Sequence, residues 1–582
     1  MCGIFGYIGR RKAAGIVIGG LKRLEYRGYD SFGIATKNDT LHISKKSGRI
    51  SDGGSGTAGL PGTIGIGHTR WATHGIPNDL NAHPHLDCTG KIAVVHNGII
   101  ENYAELRRNL TARGHTFSSD TDTEVIAHLV EEQYAGDLAA AVRAALPLLE
   151  GSYAILVAAE GDDRIVAARM ASPLVIGVGD REFFCASDVT PLIDHTRRVI
   201  YLEDGDCAVL SPSEYTITHD DRTVLRPVEE VDWDIQDARK GGFAHYMEKE
   251  IFEQPQVFYN TVQSVREAPD TLTHLLMSRT GILIVACGSS YHAGLLCKYL
   301  IETYCGIPVR VEMGSEFKYY TPPLHDPVIG ITQSGETADT LTALKMAKAW
   351  GCPTIAITNV VGSSVTRIAD ATIYTRAGPE ISVAATKSFM AQLAAVLQIA
   401  GSLSDDCTLE EELDRVNIMI EDALTIPIDD AVVLCTQAQS IFFIGRGLYY
   451  PVALEGALKM KEISYIHAEG YAAGELKHGP FALLSPDTPV VALAMPGKTY
   501  PVMISNIKEI KARGAPVIGI GTVGDRELPE IADIFIPLSP LHEVAGIAMV
   551  SVILQRLAYH VADALGCDID KPRNLAKSVT VE

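Results

Sequence analysis

Hydrophobic and polar positions alternate in short blocks along the first 180 residues of the chain. Between Ala13 and Leu24 the apolar residues recur at helical spacing, which predicts a helix that packs one face on a sheet. Short apolar runs predict the strands of that sheet, and these runs are residues 3–6, 32–35, 64–67, 92–96, 154–158 and 174–178. The pattern therefore predicts a layered domain rich in β-structure.

The second half of the chain contains an internal repeat. The pattern KxxKAxGxPxIxI begins at Lys345 and begins again at Lys508, 163 residues later. The apolar strand 282–286 is echoed in the same way by 441–444. A repeat of this length indicates two duplicated domains, each with parallel strands alternating with helices and with ligands expected at the carboxyl ends of the strands. A polar stretch without periodicity, residues 211–240, predicts the boundary of the first domain near 225–245.

Composition and charge exclude several classes of partner. The chain has 582 residues, 47% of them hydrophobic and 21% charged, with a net charge of -21, so nucleic acid and anionic membranes would repel it. The 11 cysteines include no Cys-x-x-Cys pair and no Cys/His cluster at zinc spacing, which predicts reduced thiols, a cytoplasmic location and no metal or cofactor. Residues 389–404, taken as the longest weakly polar stretch, are too short to span a bilayer.

Candidate chemistry in the first domain begins at Cys2. If Met1 is removed, the α-amine of Cys2 lies beside its own thiol and can serve as the base for that nucleophile. Arg70 offers a planar fork for a carboxylate, Asp122 a counter-charge for an ammonium group, and the Asn97 side chain with the Gly98 N–H an oxyanion hole. Three plainer interpretations stand beside these: an ordinary terminal cysteine, a surface ion pair and an Asn-Gly hairpin turn.

Taken together, five segments of the first domain resemble the class-II glutamine amidotransferases. They are Cys2-Gly3-Ile4, EYRGYD at 25–30, GHTRWATHG at 67–75, HNG at 96–98 and SDTDTE at 119–124. The resemblance implies a four-layer αββα sandwich of the N-terminal-nucleophile type over residues 2–225. It also implies that Trp71, Thr73 and His74 join Arg70 and Asp122 in binding glutamine, and that Trp71 gates an internal path for ammonia.

In the first repeat, two strand ends carry hydroxyl-rich loops at 287–291 and 332–337. Hydroxyls and backbone N–H groups at two helix N-termini form an anion cradle, although the same residues also favour simple N-caps. The second repeat instead carries Lys459 and Glu462 three residues apart, which on its own indicates a helix ion pair. The polar tail after Asp570 looks, on its own, like a flexible end.

Three motifs of the second half resemble the glutamine:fructose-6-phosphate aminotransferase family, whose chains join a glutaminase domain to two doubly wound parallel α/β sugar-isomerase (SIS) domains. The motifs are TQSGETADT at 332–340, ELKHGP at 475–480 and PRNLAKSVTVE at 572–582. The resemblance implies a linker at 226–245, sugar-isomerase domains at 246–415 and 416–566, and an active-site tail at 567–582. It also implies a homodimer.

The same resemblance implies a role for each site residue. Ser290, Gln333, Ser334 and Thr337 would hold a sugar phosphate, with Ser289, Thr332 and Val383 nearby; Thr332 stands where the family has serine but keeps the hydroxyl. Glu462 would move a proton between C1 and C2 with help from Lys459. His478 of a neighbouring subunit would open the sugar ring, and Lys577 would form a Schiff base.

The function that follows from the resemblance is transfer of the amide nitrogen of L-glutamine to D-fructose 6-phosphate, with isomerisation to D-glucosamine 6-phosphate. One rival is an amidotransferase that feeds a phosphoribosyl-diphosphate or ATP-dependent site, but the sequence has no Ser-Gly-Gly pyrophosphate loop or acidic ribosyl-diphosphate motif. The other rival is a non-enzymatic sensor of sugar phosphates. Intact Cys2, Glu462 and Lys577 argue against a sensor.

Overall fold

The structure is a computed structural model that describes residues 2–50, 57–231, 240–267, 281–320, 325–404, 407–539 and 543–579. The chain divides into two compact units. The first consists of residues 1–238 with 576–582, and the second of residues 239–575.

The first unit is built largely from antiparallel strands. Its strands are β1 (Gly3–Ile8), β2 (Ser31–Lys37), β3 (Leu41–Ser47), β4 (Ile64–Arg70), β5 (His85–Leu86), β6 (Ile92–Ile100), β7 (Gly151–Ala159), β8 (Asp162–Met170), β9 (Val175–Val178), β10 (Phe183–Ala186), β11 (Arg198–Tyr201), β12 (Asp206–Leu210), β13 (Tyr215–His219), β14 (Arg222–Val224) and β15 (Glu229–Glu230). Its α-helices are Ala13–Leu24, Tyr103–Ala112, Glu124–Gln133 and Leu138–Ala145, with short 3-10 helices at Glu25–Arg27, Thr57–Gly59 and Leu146–Leu148.

These strands form two sheets packed face to face. The first has the order β15-β11-β9-β10-β1-β4-β2-β3 and the second the order β14-β13-β12-β8-β7-β6-β5. Alternate residues of the strands, such as Ile4 and Ile66 from one sheet and Val95 and Leu156 from the other, fill the core between them. The helix Ala13–Leu24 covers the outer face of one sheet, and the helices Glu124–Gln133 and Leu138–Ala145 cover the other. The predicted αββα layering is confirmed.

The second unit alternates strands with helices. Its strands are β16 (Ile282–Ala286), β17 (Val309–Met313), β18 (Val328–Thr332), β19 (Thr354–Thr358), β20 (Ala371–Tyr374), β21 (Ser440–Gly445), β22 (His467–Ala472), β23 (Val490–Leu493), β24 (Val517–Thr522) and β25 (Ile534–Leu538). Its α-helices are Tyr246–Phe252, Gln254–Arg266, Ser289–Tyr304, Gly314–Tyr320, Ala338–Ala349, Ser364–Ile368, Lys387–Leu403, Cys407–Thr425, Asp429–Thr436, Tyr449–Ser464, Tyr500–Lys511, Leu528–Ile531 and Glu543–Ala564, with 3-10 helices at Ala473–His478 and Pro480–Leu483.

Both sheets of this unit are parallel and share one topology. Their strand orders are β17-β16-β18-β19-β20 and β22-β21-β23-β24-β25, so each sheet places its first strand between its second and its third. The repeated sequence pattern falls on equivalent elements, a helix followed by β19 in one copy and a helix followed by β24 in the other. The predicted duplication of parallel α/β domains is therefore confirmed, and the strand order reverses beside the first strand of each copy.

Two expectations about local structure are wrong. Arg70 and the pair Asn97–Gly98 lie inside β4 and β6, because both strands run further than their apolar runs, so Asn97–Gly98 is not a hairpin turn. The longest apolar stretch is not 389–404: Val544–Ala564 has a mean hydropathy of 1.5 and is, among the described residues, long and apolar enough to cross a membrane. That stretch is 89% buried inside the structure, as a core helix is.

Candidate active sites

Cys2 directly precedes β1, which lies inside the first sheet between β4 and β10. The backbone N–H of Trp71 donates to Cys2 Sγ at 3.2 Å. Gly3 is required beside it, because a Cβ there would lie 2.6 Å from Thr69 Oγ1. Burial raises the pKa of the Cys2 thiol, while the Trp71 N–H and the charge of Arg70 favour the thiolate. The thiol therefore stands protonated in an environment where a nearby base would be needed to activate it.

The side chain of Asn97 is fixed in one orientation next to Cys2. Its Nδ2 donates to the carbonyl oxygen of Cys2 at 3.0 Å, and its Oδ1 pairs with His68 Nε2 at 3.0 Å. Burial holds the pKa of His68 well below its usual value, so this histidine is neutral and donates from Nε2. At Gly98, φ is +127°, and a Cβ would lie 2.0 Å from the carbonyl oxygen of Ser152. Only glycine fits at that position.

Arg70 and Asp122 are both buried, and among the described residues they form no ion pair with each other, so they are not a surface pair. Arg70 Nη2 donates to the carbonyl oxygens of His74 and Gly75, whereas its buried Nη1 has no hydrogen-bond partner among the described residues. Burial lowers the pKa of Arg70, and the nearby carboxylates of Asp30 and Asp122 oppose that shift. The guanidinium thus keeps one edge available for an incoming anion.

The remaining predicted glutamine ligands lie in the segment after β4. Trp71 is half-buried, with its ring edge-on to Tyr29 at 5.7 Å between centroids. His74 packs edge-on against Tyr103 at 5.0 Å, whereas Thr73 is exposed. Sequence reasoning assigned no role to His68, although it lies within the GHTRWATHG segment, because only the fold brings it against Asn97.

In the second unit, the two hydroxyl-rich loops follow β16 and β18. These strands are neighbours in parallel register, with Ala286 opposite Ile331, so their carboxyl ends meet at the point where the strand order reverses. This is the place where doubly wound sheets bind ligands. Neither loop uses its hydroxyls as helix N-caps: Gly288 caps the first helix, and Thr337 makes no side-chain cap bond.

The loop 332–337 is held in shape by its own hydroxyls. Thr332 Oγ1 lies 3.0 Å from Thr337 Oγ1 and accepts from the Gly335 N–H at 3.3 Å. Ser334 Oγ accepts from the Glu336 N–H at 3.1 Å. Gly335 has a φ of +65°, and a Cβ on it would lie 2.0 Å from Ser363 Oγ. Gln333 and Ser334 are half-buried at this edge.

A buried charged network joins the two repeats next to the first loop. Lys459 Nζ lies 2.5 Å from Glu462 Oε2, 3.4 Å from Glu455 Oε1 and 3.2 Å from Ser289 Oγ. Glu455 also accepts from Ser289 Oγ and His292 Nδ1, each at 2.8 Å. Burial disfavours the charge on Lys459, but Glu462 and Glu455 outweigh it and raise the pKa of the lysine. Burial likewise disfavours the charge on Glu455, yet Lys459 and His292 lower the pKa of this carboxyl.

Glu455 and His292 were missed by sequence reasoning. Glu455 lies four residues before Lys459 on the same helix, so a carboxylate on each side of one lysine was a readable signal. His292 gave no such signal, because its partner lies 163 residues away in the chain. Val383 is buried, and its N–H already donates to the carbonyl oxygen of Asp570 at 3.0 Å.

The other two predicted catalytic residues of the second half are His478 and Lys577. His478 is exposed at the end of the 3-10 helix Ala473–His478 and has no hydrogen-bond partner among the described residues. Lys577 is half-buried and belongs with the first unit. Arg573 of the same tail is anchored in the second unit, with its N–H donating to Tyr465 Oη at 2.9 Å and its guanidinium over the Tyr465 ring.

Comparison with known families matches both units. The model of the glutamine amidotransferase domain matches residues 68–194, and the model of the SIS domain matches residues 275–401 and 434–563. Fold and sites thus define a glutamine amidotransferase domain joined to a pair of SIS domains.

Curated relatives match over the whole of both chains. The glutamine–fructose-6-phosphate aminotransferases (isomerizing) of Pyrococcus horikoshii and Thermococcus kodakarensis are each 49% identical to this chain, and that of Thermus thermophilus is 47% identical. The chain belongs to the family of glutamine–fructose-6-phosphate aminotransferases (isomerizing).

Solved structures agree with this assignment. The C-terminal domain of glucosamine-fructose-6-phosphate aminotransferase from Francisella tularensis is 38% identical, with a TM-score of 0.54, and the match covers 57% of this chain and 100% of that one. Tagatose-6-phosphate ketose/aldose isomerase from Escherichia coli is 17% identical with a TM-score of 0.50, over 56% and 95% of the two chains, and shows the shared fold.

Proposed function

We propose that the chain transfers the amide nitrogen of L-glutamine to D-fructose 6-phosphate and isomerises the product to D-glucosamine 6-phosphate, releasing L-glutamate. The observation that carries the proposal is the presence of two complementary sites on one chain. One site has a half-buried cysteine beside an arginine whose Nη1 has no hydrogen-bond partner among the described residues, and the other has the buried Lys459 paired with the half-buried Glu462 beside the hydroxyl-rich loops.

In the first site, Cys2 Sγ attacks the side-chain amide carbon of glutamine. The α-amine of Cys2, exposed once Met1 is removed, accepts the thiol proton and passes it to the departing ammonia. Asn97 Nδ2 and the Gly98 N–H stabilise the oxyanion, a contribution of roughly 3 to 4 kcal/mol per donor. Water then releases glutamate from the thioester. The fixed orientation of the Asn97 amide supports this role, because its Nδ2 already points at Cys2.

Recognition of a free amino acid needs two charges of opposite sign. Arg70 Nη1 receives the α-carboxylate, and Asp122 pairs with the α-ammonium group, with Trp71, Thr73 and His74 closing around the ligand. Asp122 Oδ2 accepts from the Ile100 N–H at 2.9 Å, which holds this carboxylate in place.

In the second site, the loops after β16 and β18 hold the sugar phosphate. Ser290, Gln333, Ser334 and Thr337 provide hydroxyl, amide and backbone donors, with Ser289, Thr332 and Val383 around them. Lys577 forms a Schiff base with the ketose, and ammonia then displaces the lysine. Glu462 moves a proton from C1 to C2, which converts the ketose imine into an amino aldose. Lys459 holds the Glu462 carboxylate in place, with its Nζ 2.5 Å from Glu462 Oε2.

His478 is exposed and lacks a partner within its own described chain, which supports a role across a subunit interface in a homodimer. There it would open the sugar ring.

Ammonia in water at neutral pH is mostly protonated and no longer nucleophilic, so the proposal includes an internal path gated by Trp71. The net charge of -21 and the scattered spacing of the cysteines along the sequence support a cytoplasmic protein without nucleic-acid or membrane partners.

The test is incubation of purified protein with glutamine and fructose 6-phosphate, followed by identification of the products by mass spectrometry. We expect glucosamine 6-phosphate and glutamate in equal amounts. Cys2→Ala should lose both products, whereas Cys305→Ser, which alters a half-buried thiol in the second unit, should keep both. Glutamate without amino sugar, from wild-type protein and fresh fructose 6-phosphate, would contradict the proposal.

A further inference from the structure

Four side chains with metal-binding atoms converge in the first unit, away from Cys2. Cys88 lies in the turn between β5 and β6, His115 follows the helix Tyr103–Ala112, and His128 and Glu131 lie on the helix Glu124–Gln133. Their ligand atoms all lie within 4.8 Å of one another. Gaps of 27, 13 and 3 residues separate the four in the chain, which is why no zinc spacing was visible in the sequence.

The distances fit the edges of a tetrahedron. Cys88 Sγ lies 3.5 Å from His115 Nδ1 and 3.5 Å from His128 Nδ1. Glu131 Oε2 lies 3.0 Å from His115 Nδ1 and 3.2 Å from His128 Nδ1. Bonds of about 2.3 Å to sulfur and about 2.0–2.1 Å to nitrogen or oxygen require edges of roughly 3.3–3.6 Å around a tetrahedral zinc ion. The two sulfur–nitrogen distances match these edges. The Glu131 oxygen would need to move only slightly away from the two histidine nitrogens.

The surroundings of the cluster resemble those of built metal sites. Each histidine turns Nδ1 toward the cluster and Nε2 toward a second carboxylate: His115 Nε2 lies 3.3 Å from Glu132 Oε1, and His128 Nε2 lies 3.8 Å from Glu124 Oε1. At His115 this is the carboxylate–histidine–metal arrangement that fixes the imidazole tautomer and raises the basicity of the ligand. At His128 the carboxylate lies beyond hydrogen-bond distance, and the buried Nε2 has no hydrogen-bond partner among the described residues. The Thr116 N–H donates to Cys88 Sγ at 3.4 Å, which holds the sulfur in place.

We propose that Cys88, His115, His128 and Glu131 bind one Zn²⁺ ion in a structural site. One thiolate, two imidazoles and one carboxylate are ligands that zinc accepts, and four protein ligands leave no open position for catalysis. The ion would tie the β5–β6 turn and the segment around His115 to the helix Glu124–Gln133. Asp122, which the proposed function pairs with the ammonium group of glutamine, lies two residues before this helix. Binding of the ion to His128 and Glu131 would therefore also restrain the segment that carries Asp122.

The alternative is a metal-free network in which both imidazoles donate to Glu131. Metal analysis of the full-length protein after desalting distinguishes the zinc site from the metal-free network. The proposal predicts one zinc per chain, and the alternative predicts none. In protein stripped with a chelator, Co²⁺ should give the strong visible bands of tetrahedral cobalt with a thiolate charge-transfer band. Cys88→Ser should weaken binding of either metal by at least about 100-fold, and the control Cys567→Ser, at a half-buried thiol outside the cluster, should not.

A second readout uses the wild-type protein alone, in case the variants fail to fold. Cys88 is exposed, so a thiol reagent should label it in stripped protein and label it at least about ten times more slowly after zinc is added. Peptide mass spectrometry identifies the labelled residue. Zinc far below one per chain, octahedral cobalt spectra, or labelling of Cys88 that zinc does not slow would each overturn the proposal. None of these outcomes depends on the activity of the enzyme.

Discussion

The two parallel sheets of the second unit share one strand order, yet their equivalent helices carry different chemistry. The helix after the first strand is Ser289–Tyr304 in one copy and Tyr449–Ser464 in the other. In the first copy, the N-terminal end of this helix carries hydroxyl groups at the edge of the sheet. The second contributes the middle of its helix, where Glu455, Lys459 and Glu462 lie on one face.

The matching loops of the two copies also differ. At the end of β21 the second copy has Gly445-Arg446-Gly447 in place of serine or threonine, and Arg446 Nε already donates to Asn506 Oδ1 at 3.1 Å. The equivalent helices contact each other through Ser289, Glu455 and Lys459. Duplication therefore gave two copies of one scaffold, and the proposed function assigns phosphate binding to one copy and acid–base groups to the other.

The largest effect should come from Glu462→Gln. Removing a group that moves a proton in the reaction should lower the rate of amino-sugar formation by about 10²–10⁴-fold while glutamine hydrolysis continues. The matched control is Glu302→Gln on the equivalent helix of the first copy, where the carboxylate pairs with Lys298 at the surface. That control should change the rate less than about twofold. An equal loss of amino-sugar formation in both variants would contradict the different roles proposed for the two copies.

Lys459→Met should reveal the cost of breaking a buried pair. The change leaves Glu462 without its cation and the buried Glu455 with only His292 beside it, which should lower the free energy of unfolding by about 3–5 kcal/mol in denaturant titrations. Lys298→Met removes a half-exposed pair on the equivalent helix and should cost less than about 1 kcal/mol. A small effect at Lys459 would mean that solvent reaches the network.

The sequence predicts local elements and the repeat well, but it does not predict which side chains are buried. The helix Ala13–Leu24 was predicted to the residue, because its apolar period is strong and local. The duplicated sheets followed from a repeat that spans a helix and a strand in each copy. Burial of Lys459 could not be read from the chain, because an i,i+3 pair looks the same on an exposed helix as on a buried one.

Long-range contacts set the other limit. His292 and Glu455 meet only because the two copies share one core, and Cys88 meets His115 and His128 only through the fold of the first unit. The ends of β4 and β6 were misplaced for a local reason. Both strands continue through polar residues that the sheet buries, so Arg70 and Asn97 look like loop residues in the sequence although they lie in strands.

Gly335→Ala should test the cradle of the first copy. A methyl group there would meet Ser363 Oγ at 2.0 Å in addition to the strained positive φ, so the loop must shift. We expect KM for fructose 6-phosphate to rise by about 10-fold or more, as for the loss of a charged hydrogen bond. Gly351→Ala carries the same backbone strain at a φ of +80° with open space around the Cβ, and its KM should stay near the wild-type value.

The smallest effect concerns pH. The raised pKa of Lys459 contributes stability below its ordinary value of 10.5 that is lost only as pH rises beyond that value. The lowered pKa of Glu455 contributes stability above its ordinary value of 4.5 that is lost only as pH falls. The unfolding cost of Lys459→Met should therefore stay constant within about 0.5 kcal/mol between pH 6 and pH 9. A cost that changes steadily across this window would mean that the network titrates inside it.

The central claim is that nitrogen leaves glutamine at Cys2 and is joined to the sugar in the second unit of the same enzyme. Glutamine labelled with ¹⁵N in its side-chain amide, supplied with fructose 6-phosphate and an excess of unlabelled ammonium, tests this directly. We predict glucosamine 6-phosphate that carries ¹⁵N, detected by mass spectrometry, because bulk ammonium is protonated and cannot compete. Amino sugar that carries mainly ¹⁴N would contradict the account, and so would labelled ammonium in solution with no labelled sugar.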